Sequence, residues 1–160
     1  MCKVLLAAAM LWAAIPLQAL ADDDISGTYK LVVDQRKIVD TGEVVEMPNP
    51  HDYIMYDKGG RMMVVIVRHP RPRQESSDKV TDQERIDLYK SLSAYGGTYK
   101  FDRKTVQHSV DIAWNEVWVG SKQLRTVTRD GDRLILTTPQ YRFANDGKMS
   151  VNVLVWEKIK

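Results

Sequence analysis

The tetrapeptide GTYK occurs twice in this chain, at residues 27–30, where it opens GTYKLVV, and at residues 97–100, where it opens GTYKFDR. An internal duplication would also repeat the residues that follow, and LVVDQRKIVD and FDRKTVQHSV do not stay in step. In the first copy, period-two alternation puts Tyr29, Leu31 and Val33 on one face of an extended chain, and the second copy alternates in the same way. The repeat therefore predicts two strand starts, each with a flexible glycine at its entrance.

Period-two patterns and turn residues continue along most of the chain. The segment RMMVVIV follows a turn at residues 58–60 and is apolar on both faces, so we expect both faces to be covered. Two further turns are expected at residues 130–131 and 145–147, and GEVVEM reads as an edge strand. In TVQHSVDIA, one face carries Val106, His108, Val110 and Ile112. Together these segments predict eight to ten antiparallel strands.

A single helix is predicted, in TDQERIDLYKSLSAYGG. Thr81 and Glu84 have the spacing of a capping box, and Gly96 is placed to end the helix. One face of this helix would carry Ile86, Tyr89 and Leu92. Many strands joined by hairpins, with one helix, indicate an all-β chain that forms a closed antiparallel barrel or a sandwich. A barrel of this size is filled by side chains or holds one small ligand.

The N-terminus has the pattern of a signal peptide over residues 1–21, followed by one domain over residues 22–160. Lys3 precedes an apolar run that ends in ALA, so we expect cleavage after Ala21. The apolar run is short for a membrane span, and no stable membrane insertion is expected after processing. The predicted location is periplasmic or secreted.

Removal of the leader takes away Lys3 and Cys2, the only cysteine. The whole chain has 23 basic and 21 acidic residues, so the processed chain has 22 and 21, a net charge of +1. Such a balance does not favour binding of nucleic acid. Without cysteine, the protein has no disulfide, thiol nucleophile or thiolate ligand, and its three histidines do not have metal-ligand spacing. No metal site and no cofactor are predicted.

Residues 25–158 resemble the bacterial lipocalin-like domain family. The resemblance rests on the order of GTYKLV, YDKGGRMMVVIVRHPRPR, AYGGTYKFD, TVQHSVDI, WVGSKQLRTV, DGDRLILTTP and VLVWEK. Tyr29 stands where the family's first strand usually has tryptophan. The resemblance implies a lipocalin-like barrel with a cavity of small-molecule size and implies no particular reaction.

His108 is the most informative single residue, because alternation places it between two inward-facing valines. It is either a buried histidine paired with other protein groups or a ligand-facing hydrogen-bond donor or general base. On the next strand, Gln123 and Arg125 share a face with Val127 and can point inward beside it. An inward arginine needs an anion or several acceptors. The alternative for Arg125 is a structural contact that seals the barrel base, stacked on Trp118 or Trp156.

The predicted ligand-binding residues are therefore His108, Gln123, Arg125, Tyr53, Trp118 and Trp156. A positive run at residues 68–73 is either a cationic rim or a solvated loop balanced by nearby carboxylates. The first functional hypothesis is an exported protein that binds a small hydrophobic or amphipathic molecule in the barrel. The second is a cofactor-independent isomerase or dehydratase that uses His108 and Arg125. A third is a structural or partner-binding barrel with no ligand.

Overall fold

The computed structural model describes residues 24–47, 52–68, 70, 71, 73–143 and 146–160. The predictions for residues 1–21, His51 and His69 lie outside these ranges. In chain order, the described strands are β1 (Gly27–Ile38), β2 (Val44–Glu46), β3 (Tyr53–Tyr56), β4 (Arg61–Val67), β5 (Leu92–Phe101), β6 (Thr105–Ala113), β7 (Lys122–Asp130), β8 (Arg133–Thr137), β9 (Tyr141–Arg142) and β10 (Met149–Lys158). The helix α1 (Asp82–Lys90) lies between β4 and β5, and a 3-10 turn (Glu116–Trp118) lies between β6 and β7.

Eight of the described strands form a closed antiparallel barrel in the order β1, β3, β4, β5, β6, β7, β8 and β10. Closure comes from β10, which pairs with β1 along most of its length, from the Tyr29–Lys158 pair to the Ile38–Ser150 pair. The short strands β2 and β9 extend β1 and β10 outside the ring. Closure leaves no long unpaired edge in these eight strands. The predicted closed barrel with one helix is confirmed, and so are the edge strand and the turns at residues 58–60 and 130–131.

We call the end of the barrel where β1 begins and β10 finishes the lower end, and the opposite end the upper end. At the lower end, the ammonium group of Lys158 lies over the Tyr29 ring, 5.8 Å from its centroid. The Tyr29 hydroxyl donates a hydrogen bond of 3.1 Å to the carbonyl oxygen of buried Ile25. A cation over an aromatic ring is a modest stabilising contact. The base contact expected of Arg125 is thus made by Lys158, on Tyr29 rather than on a tryptophan.

In both GTYK segments the glycine lies where a Cβ would meet a neighbouring strand, although only the first segment begins a strand. Gly27 opens β1 with a positive φ of 140°, and a Cβ there would lie 2.8 Å from Cε of Lys158. Gly97 lies inside β5, and its Cβ would overlap the Ser109 carbonyl oxygen on β6. The prediction of a glycine at the entrance of the second strand is therefore wrong. Glycine is required there because two backbones approach closely.

Two irregularities in the strand pairing reverse the alternation that the sequence suggests. Between Leu31 and Val33 the register with β10 shifts, so that Asp34, and not Val33, becomes the buried residue. A second shift, between β5 and β6, leaves Ile112 62% exposed on the outer face instead of in the interior. An inserted residue moves every following side chain to the other face of a strand. The inward assignments of Val33 and Ile112 were therefore wrong.

The helix is shorter than predicted. Its N-terminus has the expected capping box, in which the Thr81 hydroxyl accepts from the Glu84 amide and the Glu84 carboxylate accepts from Thr81. It ends at Lys90 with Ser91 as C-cap, and the residues leading to Gly96 belong to β5. No helix among the described residues is long and apolar enough to cross a membrane.

The outer face of β4 is also less covered than expected. Met63 and Val65 are both exposed, while Met62 and Val64 point into the core. Successive side chains of β4 therefore point alternately to the core and to the surface, although all four of these residues are apolar.

Candidate functional site

A hydrogen-bonded polar group crosses the interior of the barrel, and His108 lies at its centre. The side chain comes from β6, where Val106, His108 and Val110 are all buried, and His108 is 1% exposed. The predicted inward position of His108 is thus confirmed. The sequence did not identify the groups that surround it.

Both ring nitrogens of His108 are bonded to tyrosine hydroxyl groups. Its Nε2 lies 2.8 Å from the Tyr56 hydroxyl oxygen, and its Nδ1 lies 2.9 Å from the Tyr95 hydroxyl oxygen. Tyr56 arrives from β3 and Tyr95 from β5, so the three side chains link three strands through the barrel interior. A neutral imidazole has one donor and one acceptor nitrogen. One tyrosine must therefore donate to the ring while the other accepts from it.

Burial keeps this group uncharged. Removal from water, with a smaller contribution from the Arg125 charge, lowers the pKa of His108 to about 3. Burial also raises the pKa of the Tyr56 and Tyr95 hydroxyl groups above their usual value. The histidine is therefore neutral and the two tyrosines are protonated across the range from pH 5 to pH 8. An imidazole with so low a pKa is a weak base.

Arg125 provides the positive charge beside this group. The residue is half-buried on the inner face of β7, where it shares a side with buried Val127. Its Nη1 donates to the Leu124 carbonyl oxygen at 2.7 Å, and its Nη2 lies 3.5 Å from Oε1 of Gln123. Its charge and its hydrogen bond to the Tyr95 hydroxyl oppose the rise in the pKa of Tyr95 that burial causes. Within the described part of the chain, no carboxylate forms an ion pair with Arg125.

The direction of the two hydrogen bonds depends on the tautomer of His108. With the proton on Nε2, the Tyr56 oxygen accepts from the ring and Tyr95 donates to Nδ1. With the proton on Nδ1, the two directions are reversed. We call Arg125, Tyr95, His108 and Tyr56 the inner polar chain.

The two GTYK tyrosines pack beside the far end of this chain. The Tyr56 ring makes edge contacts with Tyr29 and Tyr99, at centroid distances of 6.4 and 4.8 Å. Tyr99 donates its hydroxyl hydrogen to the Asp57 carbonyl oxygen at 3.0 Å, so its own polar atom is satisfied. The repeated tetrapeptide therefore contributes to the aromatic wall that holds Tyr56 in place.

Some of the other predicted site residues lie beside His108, and some do not. Gln123 lies opposite His108 in the β6–β7 pairing, and its side-chain amide bonds Ser121 and Arg125 rather than the imidazole. Trp118, in the 3-10 turn, packs edge-on to Tyr95 with the ring centroids 5.5 Å apart, and so covers the inner polar chain. These two residues and Arg125 are brought together near His108.

Tyr53 and Trp156 are not part of that group. Tyr53 is 46% exposed, because β3 alternates and sends Ile54 and Tyr56 inward instead. Trp156 is buried in the core, on β10 opposite Leu31 and Leu134, and no described residue forms a hydrogen bond with its indole Nε1. The stacking of Arg125 on Trp118 or Trp156 does not occur; the arginine and lysine stacking contacts of the described residues are Arg36 over Phe143 and Lys158 over Tyr29.

Tyr56 and Tyr95 are the important residues that the predicted set of ligand-binding residues does not include. Tyr95 was placed in the helix, and its strand position depends on α1 ending at Lys90. Tyr56 could have been found, because it follows Ile54 by two residues on the strand that leads into the predicted turn. A buried histidine needs partners for both nitrogens, and inward tyrosines on neighbouring strands are suitable candidates.

Comparison with known proteins agrees with this architecture. A family model described as a lipocalin-like domain matches residues 26–159. Among solved structures, the chain is similar to an uncharacterized protein from Bacteroides eggerthii, at 13% identity and a TM-score of 0.42, with 85% of this chain and 100% of that chain covered. No curated protein matches the chain. The family model spans nearly all of the barrel, which confirms the resemblance noted in the sequence, and the chain therefore belongs to the lipocalin-like domain family.

Proposed function

We propose that the protein is an exported carrier that binds a small hydrophobic or amphipathic molecule inside the barrel, with an anionic group of that molecule on Arg125. The lipocalin-like barrel is a fold of ligand-binding type. The observation that carries the proposal is the position of Arg125 on the inner face without a carboxylate partner in the described residues. A partly desolvated guanidinium group is stabilised by a planar anion that accepts two hydrogen bonds.

The surroundings of Arg125 suit the rest of such a molecule. Its nearest buried aliphatic neighbours in the strand pairing are Val106, opposite it on β6, and Val127, two residues further along β7. Small-molecule sites in proteins are mostly apolar and have a few convergent polar groups that fix the orientation of the ligand. A carboxylate on an aliphatic or aromatic body matches this combination of one cation and apolar walls.

The enzymatic alternative receives less support. An isomerase or dehydratase would need His108 as a proton carrier near neutral pH. Burial lowers the pKa of His108 to about 3, and both of its nitrogens are already bonded to tyrosines. The arrangement suits a fixed hydrogen-bond relay that orients Arg125 and Tyr56 more than it suits proton transfer to a substrate.

Export is part of the same proposal and rests on the signal-peptide pattern of residues 1–21. Intact-mass measurement of the protein recovered from the culture fluid or the periplasm should give a chain that begins at Asp22. Recovery of the chain with Met1 still attached would contradict it.

Arg125→Met tests the binding site, with dodecanoate as the probe in a calorimetric titration. The substitution keeps most of the side-chain volume and removes charge-assisted hydrogen bonds, so affinity should fall about tenfold to a hundredfold. Thermal stability should change little or rise, because a partly buried charge is removed. Arg133→Met is the matched control, since Arg133 lies on the outer surface of β8 and pairs with Glu157. Unchanged affinity for dodecanoate with a large loss of stability would make Arg125 structural and overturn the assignment.

A further inference from the structure

A second set of charged side chains lies inside the barrel, nearer the upper end. Asp34 is 6% exposed, and it faces the interior because its cross-strand neighbour is the core residue Leu154. Arg36, two residues further along β1, is also buried and bonds Asp146. The register shift in β1 produces this arrangement, since it turns both charged residues inward.

In the ranges that the structure describes, no hydrogen bond or ion pair reaches the carboxylate oxygens of Asp34. The nearby cation Arg68 donates instead to the Ser93 hydroxyl, at 3.1 Å. Arg68 and Asp52 are close enough for their charges to act on Asp34, but burial remains the larger influence. Buried carboxylates without partners are rare, because desolvation is costly unless another group compensates for it.

The position of Asp34 relative to Arg125 indicates how a ligand would reach both. Asp34 lies opposite Leu154, Leu154 lies opposite Leu136, and Leu136 lies opposite Val127, which shares the inner face of β7 with Arg125. Three strand spacings, or about 14 Å around the barrel wall, separate Asp34 from Val127, and Arg125 lies two residues further along β7. Leu154 and Leu136 lie between them along the wall. A ligand that contacts both Asp34 and Arg125 must therefore be elongated and carry a polar group at each end.

We propose that Asp34 is a second polar subsite, which binds a positively charged nitrogen group at the end of the ligand opposite the anion. The subsite rests on the proposed binding function and narrows the ligand class to amphipathic molecules that carry an anion at one end and an ammonium group at the other. The ammonium group would supply the hydrogen bonds that no described side chain gives to Asp34. Arg68, held by Ser93, does not fill this role.

The test compares 12-aminododecanoate with dodecanoate by titration calorimetry at pH 7.5, below the concentrations at which either forms micelles. With the subsite present, the added ammonium group should tighten binding about tenfold to a hundredfold, as expected for a hydrogen bond between charged groups. Without it, burying an unpaired ammonium group would make 12-aminododecanoate the weaker probe. Weaker or equal binding of 12-aminododecanoate to the natural sequence would overturn the subsite.

Asp34→Asn tests whether the tighter binding of 12-aminododecanoate depends on Asp34. It should remove the advantage of 12-aminododecanoate and leave the affinity for dodecanoate within about threefold, while Asp40→Asn, the same change at an exposed position beyond β1, should alter neither. Equal weakening of both probes by Asp34→Asn would indicate general damage and would count against the subsite.

A third probe, dodecylammonium, keeps the two proposals separate. Its binding should depend on Asp34 and not on Arg125. If dodecanoate fails to bind in an Arg125-dependent way, the proposed function fails, and dodecylammonium still tests Asp34 directly. Failure of dodecylammonium to bind, or identical binding to Asp34→Asn, would overturn the subsite whatever dodecanoate does.

Discussion

At the scale of single residues, the barrel interior depends on polar groups that satisfy one another. His108 would be costly to bury alone, and two tyrosines from other strands make its burial possible. Each ring nitrogen of the neutral imidazole has a tyrosine hydroxyl as its partner, whichever tautomer is present.

Tyr56→Phe tests this arrangement. It removes the hydrogen-bond partner of Nε2 of His108 in a buried site, so the free energy of unfolding should fall by about 1–3 kcal/mol. Tyr53→Phe, at an exposed position of the same strand, should change it by less than about 0.5 kcal/mol. Urea denaturation measures both. Nitrogen-15 NMR of the unaltered protein should also show only one ring nitrogen of His108 protonated at pH 5 to pH 8; a doubly protonated ring would refute the neutral histidine.

At the scale of elements, two register shifts decide which residues the strands bury. The shift in β1 brings Asp34 and Arg36 inside, and the shift between β5 and β6 sends Ile112 outside. The second shift lies at Gly97, where a Cβ would overlap the Ser109 carbonyl oxygen of β6. The pairing of β5 with β6 in turn positions both Tyr95 and His108, so the inner polar chain depends on this glycine.

Gly97→Ala should therefore be poorly tolerated. The new Cβ overlaps the Ser109 carbonyl oxygen, and because both are tied to backbone, one strand must move. We expect a loss of about 1–3 kcal/mol or more in the free energy of unfolding, together with faster amide exchange along β5 and β6. In the control Gly59→Ala, the Cβ meets only the flexible carboxylate of Asp57, so the loss should be small. Equal stability of the two variants would show that the close approach at Gly97 is not essential.

At the scale of the whole molecule, two buried groups have opposite effects on stability as pH changes. His108 has a folded pKa of about 3 against 6.5, so its contribution is complete above pH 6.5 and is lost as pH falls, by about 1.4 kcal/mol per pH unit. Burial raises the pKa of Asp34 to about 6 from 3.8, so the folded state gains stability as pH falls from 6 to 4. The charged or titratable groups around Asp34 are Arg36, Asp52, Arg68, Tyr141 and Asp146. Between pH 4 and pH 6 the two contributions largely cancel.

Asp34→Asn should separate these contributions. Above pH 7 the variant should be more stable than the natural sequence by about 3 kcal/mol, because it no longer buries a charge, and the difference should vanish at pH 4 and below. The free energy of unfolding of the variant should fall steadily from pH 6 to pH 4, because the His108 contribution is no longer offset by that of Asp34. Urea denaturation at pH 4, 5, 6 and 8 gives both curves, with Asp40→Asn as control. A difference that does not depend on pH would contradict the assigned role of Asp34.

The sequence predicts the orientation of a site residue correctly when that residue lies within a regularly alternating strand segment. His108 and Arg125 were placed inward correctly, because each lies within an uninterrupted alternating stretch, on β6 and β7 respectively. Tyr95 was missed because it lies between the helix end and the next strand, where helical and extended patterns overlap. Tyr53 was assigned to the wrong face because the short segment DYIMY has an aromatic residue on each side of the strand.

The sequence by itself determined the antiparallel all-β class with one helix, the edge strand β2, two hairpin turns, the helix N-terminus at Thr81 and the inward position of His108. These features depend on contacts between residues close in the chain, so alternation and capping patterns reveal them. The tertiary structure alone decided that Asp34 is buried and that Tyr56 and Tyr95 bond His108. Those outcomes depend on register between strands far apart in sequence. A register shift of one residue exchanges the inner and outer faces of a strand, and the local sequence pattern does not show such a shift.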